Sequence, residues 1–413
     1  MSQQEPKTFH PLRITRLSLE GFKSYGSPPQ ALELGPLNVF VGANASGKSN
    51  LLSALRFLKL AVTQNADYAA EELGGLDEVF NKLLSQQEMQ FTLGLELDCG
   101  GMVVVGLKGQ VARLGRFHYV VRIRRRGADA HATVVDEQID GEISADSSSS
   151  SEHYSLLRDQ KHLTVIDPVF SPDRIQEFPV QDQDASRLAL GIGFFSAPCV
   201  VLRTSIERWQ FYDLNPRIAR LPYRETGDAV LGPQGENLSL VLHQLRGKNG
   251  ELDAVTGGLR GVVAGFQDVR ADLVDLERKR GFRIIEEGIP EGLGPEAASD
   301  GTIRLLALMV IANQQEADPS IVGIEELENG LHPWLLEHLV HTLREASQRR
   351  QFLITTHNPA ILDWMEPHEI FLCDKEDGFT RIHRASTVEQ VDTFRHHFSL
   401  GDLWTQGVLG GTL

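Results

Sequence analysis

Cysteine is scarce in this sequence: three residues among 413, at Cys99, Cys199 and Cys373. They are far apart, odd in number and without a Cys-x-x-Cys spacing, which excludes a disulfide framework and a cysteine zinc site. Ordinary buried thiols in a reducing, cytoplasmic compartment are expected instead. The N-terminus, Met-Ser-Gln-Gln-Glu-Pro-Lys, has no apolar core of the kind a secretory signal needs, so export is not expected. Long hydrophobic runs are missing too. The longest uncharged stretch, residues 188–202, is shorter than the roughly 20 residues that span a bilayer, and Gly191, Gly193 and Pro198 interrupt it. It reads as buried protein core, and no membrane partner is expected.

Positive charge is in deficit. Forty basic residues face 56 acidic ones, a formal charge of -16, which argues against a surface coated for unspecific nucleic-acid binding. Any nucleic-acid contact is left to a local basic groove. No repeat of 20 to 50 residues is present, and neither a Gly-x-Ser-x-Gly elbow nor a Cys/His nucleophile pair stands out. His338 and His341 lie one helical turn apart but lack a further metal ligand, and His396-His397 is equally weak. What is there is the balance of a globular chain, 41% hydrophobic and 23% charged. At about 150 residues per domain, two or three folding units are expected.

Short apolar bursts at residues 12–19 and 37–41 read as strands. The second runs straight into Gly42-Ala43-Asn44-Ala45-Ser46-Gly47-Lys48-Ser49. Beyond it Leu51, Leu55, Leu58 and Val62 mark one face of a helix. Residues 91–98, 102–108, 117–124 and 132–139 carry no helical period and predict an antiparallel sheet. Five serines after Asp146 predict a surface loop. From about Ser155 to Arg280 the chain reads as mostly helical. There Leu252, Val255, Leu259, Val262, Phe266, Val269, Leu273 and Leu276 form a heptad-like seam. Gly257, Gly258, Gly261 and Gly265 lie inside it, each costing about 1 kcal/mol relative to alanine, so one or two packed helices are expected rather than a coiled-coil arm. After Gly281 a second α/β pattern begins: helices at 303–313, 333–348 and 359–365, strands at 321–324, 352–355 and 370–373. Such alternation predicts a mainly parallel sheet with helices on both faces.

Residues 42–49 match the P-loop pattern G-x-x-x-x-G-K-[ST] at every fixed position, between a predicted strand and a predicted helix. Glycines let successive backbone N–H groups turn toward phosphate oxygens, and the helix N-terminus adds partial positive charge. Lys48 is placed to reach the β- and γ-phosphates and the Ser49 hydroxyl to bind magnesium. A P-loop enzyme also needs acidic groups at the end of a neighbouring strand. Glu325 and Glu326 follow the apolar residues 321–324: Glu325 is the expected metal ligand, Glu326 the group that polarises the attacking water. Two solvated glutamates opening a helix are the plainer alternative. His357 leaves another apolar strand at an edge where phosphate-binding loops gather, although alone it reads as a structural histidine. Ser299-Asp300-Gly301-Thr302 precedes a helix, and either caps it or forms an anion site at its N-terminus.

Together these motifs resemble a family. Leu19-Glu20-Gly21-Phe22-Lys23-Ser24-Tyr25, followed by residues 37–52 with Asn50 after the P-loop, is similar to the opening of SMC, RecF and OLD-type ATPases, the ABC-ATPase heads of DNA repair and phage defence. Residues 299–302, 325–333 and 355–359 occur in the order of that clade's signature, Walker B with D-loop, and switch histidine. Trp209-Gln210-Phe211-Tyr212-Asp213, Gly235-Glu236-Asn237-Leu238 and Ser399-Leu400-Gly401-Asp402-Leu403-Trp404 resemble the compact bacterial OLD-like AAA-type ATPases. The resemblance implies an α/β fold: a P-loop NTPase ABC-type head with a mixed sheet, an antiparallel β-subdomain and a mostly helical insertion. It implies lobes at 1–145 and 282–413 around an insertion at 146–281. It also implies magnesium-dependent ATP hydrolysis by a homodimer with nucleotide sandwiched between heads. Ser299 and Gly301 would then act in trans, Lys23 and Ser24 would approach the nucleotide, Asn329 and His332 would lie in the loop joining the two sites, and a separately encoded effector would receive the motion. Residues 358–413 are too few for a Toprim nuclease, so none is expected. Glu325 stands where aspartate is usual and Leu327 where proline is. The Q-loop glutamine is open among Gln86, Gln87 and Gln90.

Other classes fit less well. An ABC transporter motor predicts a clear Q-loop and a Leu-Ser-Gly-Gly-Gln signature, and neither is found. A GTPase would carry Asn-Lys-x-Asp, and Asn81-Lys82-Leu83-Leu84 fails at the last position; a small-molecule kinase is the remaining P-loop alternative. Arg122, Arg124, Arg125 and Arg126 form the densest basic cluster, read as a solvated strand edge in preference to a nucleic-acid contact.

Overall fold

The computed structural model describes residues 12–84, 89–106, 109–126, 131–145, 151–171, 175–192, 196–224, 230–247, 250–273, 279–314, 319–388, 391–394 and 397–409. The chain forms two compact units, each assembled from separated stretches. One comprises Met1–Gly35, Asn44–Trp209 and Cys373–His383, the other Pro36–Ala43, Gln210–Leu372 and Arg384–Leu413.

The first unit is built on an eight-stranded antiparallel sheet. Its strands follow one another as Gln30–Glu33, Arg13–Glu20, Gln90–Val105, Val111–Arg126, His131–Ala145, Ser151–Arg158, His162–Ile166 and Ile175–Pro179. The alternation in the sequence explains it: Phe117, Tyr119, Val121 and Ile123 are buried on one face, while His118 and Arg124 on the other are exposed. The expected strands 91–98 and 102–108 fall on one strand, Gln90–Val105, with residues 107–108 outside the described ones, and the register shifts between Asp98 and Met102, where Gly100 and Gly101 both take positive φ. The arginine cluster is not on a sheet edge as expected. Arg122 and Arg124 pair on both sides, with Thr92 and Gln90 across one ladder and Asp136 and Thr133 across the other. Arg122 and Arg124 sit on one outward face of an inner strand because side chains alternate across it.

The helix Lys48–Thr63 belongs to this unit and buries Leu51, Leu52, Leu55, Leu58 and Val62. Phe57 on it meets Phe91 edge to face at 5.1 Å, and Phe91 meets Phe22 in the same way at 5.2 Å. These aromatic contacts tie the helix that follows the P-loop to the sheet. All three cysteines are buried and unpaired, as expected.

Residues 155–280 are not mostly helical. Beside the helices Ala197–Glu207, Leu238–Leu245 and Glu251–Gly257 they hold several strands, Phe266–Leu273 among them. The seam begins as a helix that buries Val255 and stops at Gly257, and the same apolar series continues as a strand with Phe266, Val269 and Ala271 buried. Glycine ends the helix, and the later residues suit a β-partner, here the strand Lys279–Glu286. Leu276 and Ser147 to Ser150 lie outside the described residues.

The second unit is layered on a parallel sheet with neighbours Gln210–Tyr212, Ile321–Ile324, Gln351–Thr356, Leu37–Val41 and the start of Ile370–Glu376. Residues 321–324, 351–356 and 37–41 are buried throughout, as strands covered on both faces must be. Ten consecutive residues of the helix Asp300–Asn313, Ile303 to Ala312, are buried, and Trp334–Ala346 turns Leu335, Leu336, Leu339, Val340 and Leu343 inward. Residues 359–365 form a short 3-10 turn rather than an α-helix. Ile370–Glu376 is not the last strand: Asp377 and Gly378, both at positive φ, make a hairpin into Phe379–Arg384. Among the described residues no helix is long and apolar enough to cross a membrane.

This layering predicts where truncation hurts. Leu339→Ala, removing a fully buried side chain, should lower unfolding stability by about 2–5 kcal/mol. Val105→Ala, at an exposed site, should change it by less than about 0.5 kcal/mol. Urea denaturation of both variants checks the contrast.

Candidate functional site

Parallel pairing gathers the first set of predicted residues. Strands Ile321–Ile324, Gln351–Thr356 and Leu37–Val41 lie side by side and point the same way, with Ile324 opposite Ile354 and Thr356 opposite Val41. Their carboxyl ends therefore release Glu325-Glu326, His357 and Gly42-Ala43 at one sheet edge. In open parallel sheets that edge is where ligands bind.

The acidic turn is held by a dense polar set. Glu325 donates its backbone N–H to the Tyr212 carbonyl at 2.8 Å. Glu326, exposed, has φ 47° and donates its N–H to Thr355 Oγ1 at 3.1 Å, while Asn329 Nδ2 donates to its Oε2 at 3.3 Å. Arg304, buried beneath the turn, donates to the carbonyls of Leu214 at 2.6 Å, of Glu325 at 3.1 Å and of Glu326. Burial pulls its guanidinium below the usual value, and Asp213, Glu328 and Glu326 oppose that. Glu328 Oε1 accepts the backbone N–H of His357 at 3.0 Å and lies 3.2 Å from His357 Nδ1. Glu328 is buried and its Oε2 has no hydrogen-bond partner among the described residues, whereas the His357 ring is half exposed. The geometry thus orients a histidine and presents one carboxylate to solvent.

The P-loop continues from Asn44 in the first unit. Gly47 has φ 103°, and a Cβ there would fall 1.9 Å from Thr380 Oγ1 and 2.7 Å from Ser24 Oγ, so only glycine fits. Thr380 Oγ1 donates to the Ser46 carbonyl at 2.8 Å and lies 2.6 Å from Ser24 Oγ; Asn50 Nδ2 donates to Ser24 Oγ at 2.7 Å, and Tyr25 donates its hydroxyl to the Gly47 carbonyl at 3.2 Å. The helix Lys48–Thr63 has no side-chain cap, so its first-turn N–H groups suit an anion. Ser46 Oγ is buried without a hydrogen-bond partner among the described residues, Lys48 is buried, and Asn44, Ala45 and Ser49 are exposed. Burial pushes the Tyr25 hydroxyl and the neighbouring Cys373 thiol up, while Lys48 draws the thiol back down. Beside the loop lies a cavity of about 510 Å³ lined by Lys23, Ser24, Asn50, Lys82 and Lys375 among others. Four described non-glycine residues have positive φ, and three of them, Lys23, Ala45 and Glu326, are predicted site residues. Such strain costs about 1–3 kcal/mol each and collects at working sites.

Ser299 caps the helix Asp300–Asn313: Thr302 donates its N–H to Ser299 Oγ at 3.0 Å. A Cβ on Gly301 would come within 2.6 Å of the Gly330 carbonyl, which places this helix start against the turn after Glu326. Arg220, buried, braces the segment by donating to Pro295 and Ala298 carbonyls at 2.9 and 2.8 Å and pairing with Asp300 at 2.6 Å.

Sequence reasoning missed Thr380, Arg304, Arg220 and the role of Glu328. Thr380 meets Ser46 across 334 residues of chain, so no local pattern marks it. Glu328 lies within residues 325–333, but its partner His357 is 29 residues further along the chain and only the fold brings the two together. Gln90 opens the strand Gln90–Val105 and accepts from Arg124 Nη2 at 3.4 Å, while Gln86 and Gln87 lie outside the described residues. No group of three His, Cys, Asp or Glu side chains is placed to hold a metal among the described residues. Magnesium does not require one: it takes one or two protein ligands together with substrate phosphates and water.

The chain is similar to solved SMC heads. It is 14% identical to the SmcHead bound to the C-winged helix domain of ScpA, with TM-score 0.51, covering 90% of this chain and 97% of that one. It is 13% identical to the Smc head domain with an extended coiled coil, bound to the C-terminal domain of ScpA derived from Pyrococcus furiosus, with TM-score 0.50 and coverage of 93% and 100%. The fold is thus that of SMC head domains, a mixed α/β architecture with a large antiparallel sheet. No curated protein matches the chain. One family profile, described as "AAA domain, putative AbiEii toxin, Type IV TA system", matches residues 37–99 and 202–363. Those segments cover more than half of the sequence and include the P-loop, the acidic turn and His357: the chain belongs to this AAA domain family.

Proposed function

We propose that the chain binds ATP with magnesium at residues 42–49 and hydrolyses it, as a homodimeric head of the OLD-like branch. The observation that carries this reading is the common sheet edge from which the P-loop, Glu325-Glu326 and His357 depart. Residues Asn44 to Gly47 and the uncapped helix start supply N–H donors to phosphates, with Lys48 on the β- and γ-phosphates. Magnesium would be held by Ser49 and Glu325, and when bound it neutralises charge on the phosphate oxygens. Glu326 accepts a proton from the attacking water. Asn329 steadies its carboxylate, Thr355 and Arg304 fix its backbone, and Glu328 holds His357 for contact with the γ-phosphate. Lys23 and Ser24 approach the nucleotide, and Asn50 orders Ser24.

Ser299 and Gly301 act in trans, closing over nucleotide on a second head. Closure of the dimer in the cytoplasm, followed by reopening on hydrolysis, moves or releases a separately encoded effector in DNA repair or phage defence. The acid balance of the chain favours a protein as recipient of that motion over nucleic acid, whose contact stays local.

Glu326→Gln should slow ATP hydrolysis by about a hundredfold or more, the scale of a lost general base, and accumulate an ATP-bound dimer on size-exclusion chromatography. Unchanged turnover would remove the role given to Glu326. Ser299→Arg should abolish that dimer while nucleotide binding, read by calorimetry, stays close to wild type; equal loss of both would contradict action in trans. Thr380→Val leaves the Ser46 carbonyl without its donor, a loss of about 1–3 kcal/mol. It should raise the KM for ATP more than it lowers kcat.

A further inference from the structure

A second basic cavity lies in the first unit, on the antiparallel sheet, and the reading above gives it no work. It encloses about 420 Å³ and is lined by Arg124, Arg125, Arg158, Lys161, Thr133 and Asp182 among others. Volumes of this order hold small ligands. Four cations and one carboxylate are among its lining residues; Arg125 is already paired with Asp77, which leaves Arg124, Arg158 and Lys161 as the candidate anion ligands.

Arg158 is the decisive residue. It is 2% exposed, and only its Nη2 is used, donating to the Asp184 carbonyl at 2.8 Å; Nε and Nη1 meet no acceptor among the described residues. The buried Glu137 is near enough to influence its charge but is engaged elsewhere, accepting from the Tyr119 hydroxyl at 3.0 Å and the N–H groups of Ala189 and Leu190. Thr133 Oγ1, on another wall of the cavity, is likewise buried without a partner. Unmet donors in a buried guanidinium are costly, and their usual explanation is a bound ion or water.

The structure assigns to this cavity a small phosphate-bearing anion, held by Arg158, Arg124 and Lys161 with Thr133 as a hydroxyl donor. Guanidinium forks with an ammonium suit the several oxygens of a phosphate group. A nucleic-acid backbone fits less well, because it needs cations in a continuous track. Along this strand Arg122 is neutralised by Asp136 at 3.0 Å and Arg125 by Asp77.

The test uses the full chain carrying Lys48→Ala, so that the P-loop does not compete, with inorganic pyrophosphate and inorganic phosphate as probes in calorimetry. Pyrophosphate should bind at one site, and Arg124→Gln with Lys161→Gln in the same background should weaken it at least about tenfold, the scale of lost charge-assisted bonds. Both substituted side chains are on the surface, and circular dichroism checks that the fold is intact; Arg158 is left in place because it is buried and donates to the Asp184 carbonyl. Phosphate binding weaker than pyrophosphate at the same residues would agree with the assignment. Absence of binding in the Lys48→Ala chain, or unchanged affinity after the double substitution, would overturn it. So would a single-stranded oligonucleotide that binds more tightly than pyrophosphate and loses that binding with the same two changes.

Discussion

The parallel pairing of Leu37–Val41 with Gln351–Thr356 is the constraint on which the second unit depends. It joins segments more than 300 residues apart, and Asn38, buried in the strand, adds a side-chain bond to the Phe352 carbonyl at 3.0 Å. Once this register is set, the directions of the remaining parallel strands leave no freedom in where their carboxyl ends emerge. A slip by one residue would turn every apolar side chain to the opposite face. It would also displace His357 from the buried Glu328. The candidate chemistry is therefore a consequence of strand register before it is a consequence of any single side chain.

Much of this was legible because the local patterns and the fold agree. Residues 37–41, 321–324 and 351–356 are apolar without alternation, as buried parallel strands are, and each runs directly into the residue that was singled out. The failures have a common cause. From Leu252 a spacing of three and four predicts a helix, yet the glycines inside it end the helix at Gly257 and the apolar residues Phe266 and Val269 find a β-partner instead. The arginines of the strand Val111–Arg126 looked like an edge because nothing in the sequence says which strands flank them. Thr380 was invisible because a threonine after Asp377-Gly378-Phe379 reads only as the start of a hairpin arm. Its work depends on the chain returning beside Ser24 and Ser46.

Buried arginines recur where backbone must be held in place. Arg304 spreads its guanidinium over carbonyls on both sides of the acidic turn, and Arg350 caps the end of the helix Asp300–Asn313 by donating to Ile311 and Gln314 carbonyls at 3.0 and 2.7 Å. A guanidinium suits this because it presents several donors in one rigid plane and stays charged when buried. Removing one would leave several carbonyls without donors at once. Arg158 differs in degree: Arg304 leaves only its Nε without an acceptor among the described residues while both of its Nη nitrogens donate, whereas Arg158 uses one nitrogen of three.

The acidic turn also bears on Leu327, a departure from the pattern that the resemblance to SMC, RecF and OLD-type ATPases implies. Leu327 stands where proline is usual, and its backbone N–H donates to the Thr355 carbonyl at 3.2 Å while its side chain is fully buried. A proline has no N–H and could not make that bond. The preceding residue, Glu326, is bonded to Thr355 Oγ1, so a single threonine ties down two successive N–H groups of the turn. With Arg304 beneath, Thr355 beside it and the Leu327 side chain in the core, the turn holds Glu326 at positive φ. The rigidity that a proline ring would bring is supplied here by the neighbouring strand, and the carboxylate is presented to solvent from a backbone that has little room to move.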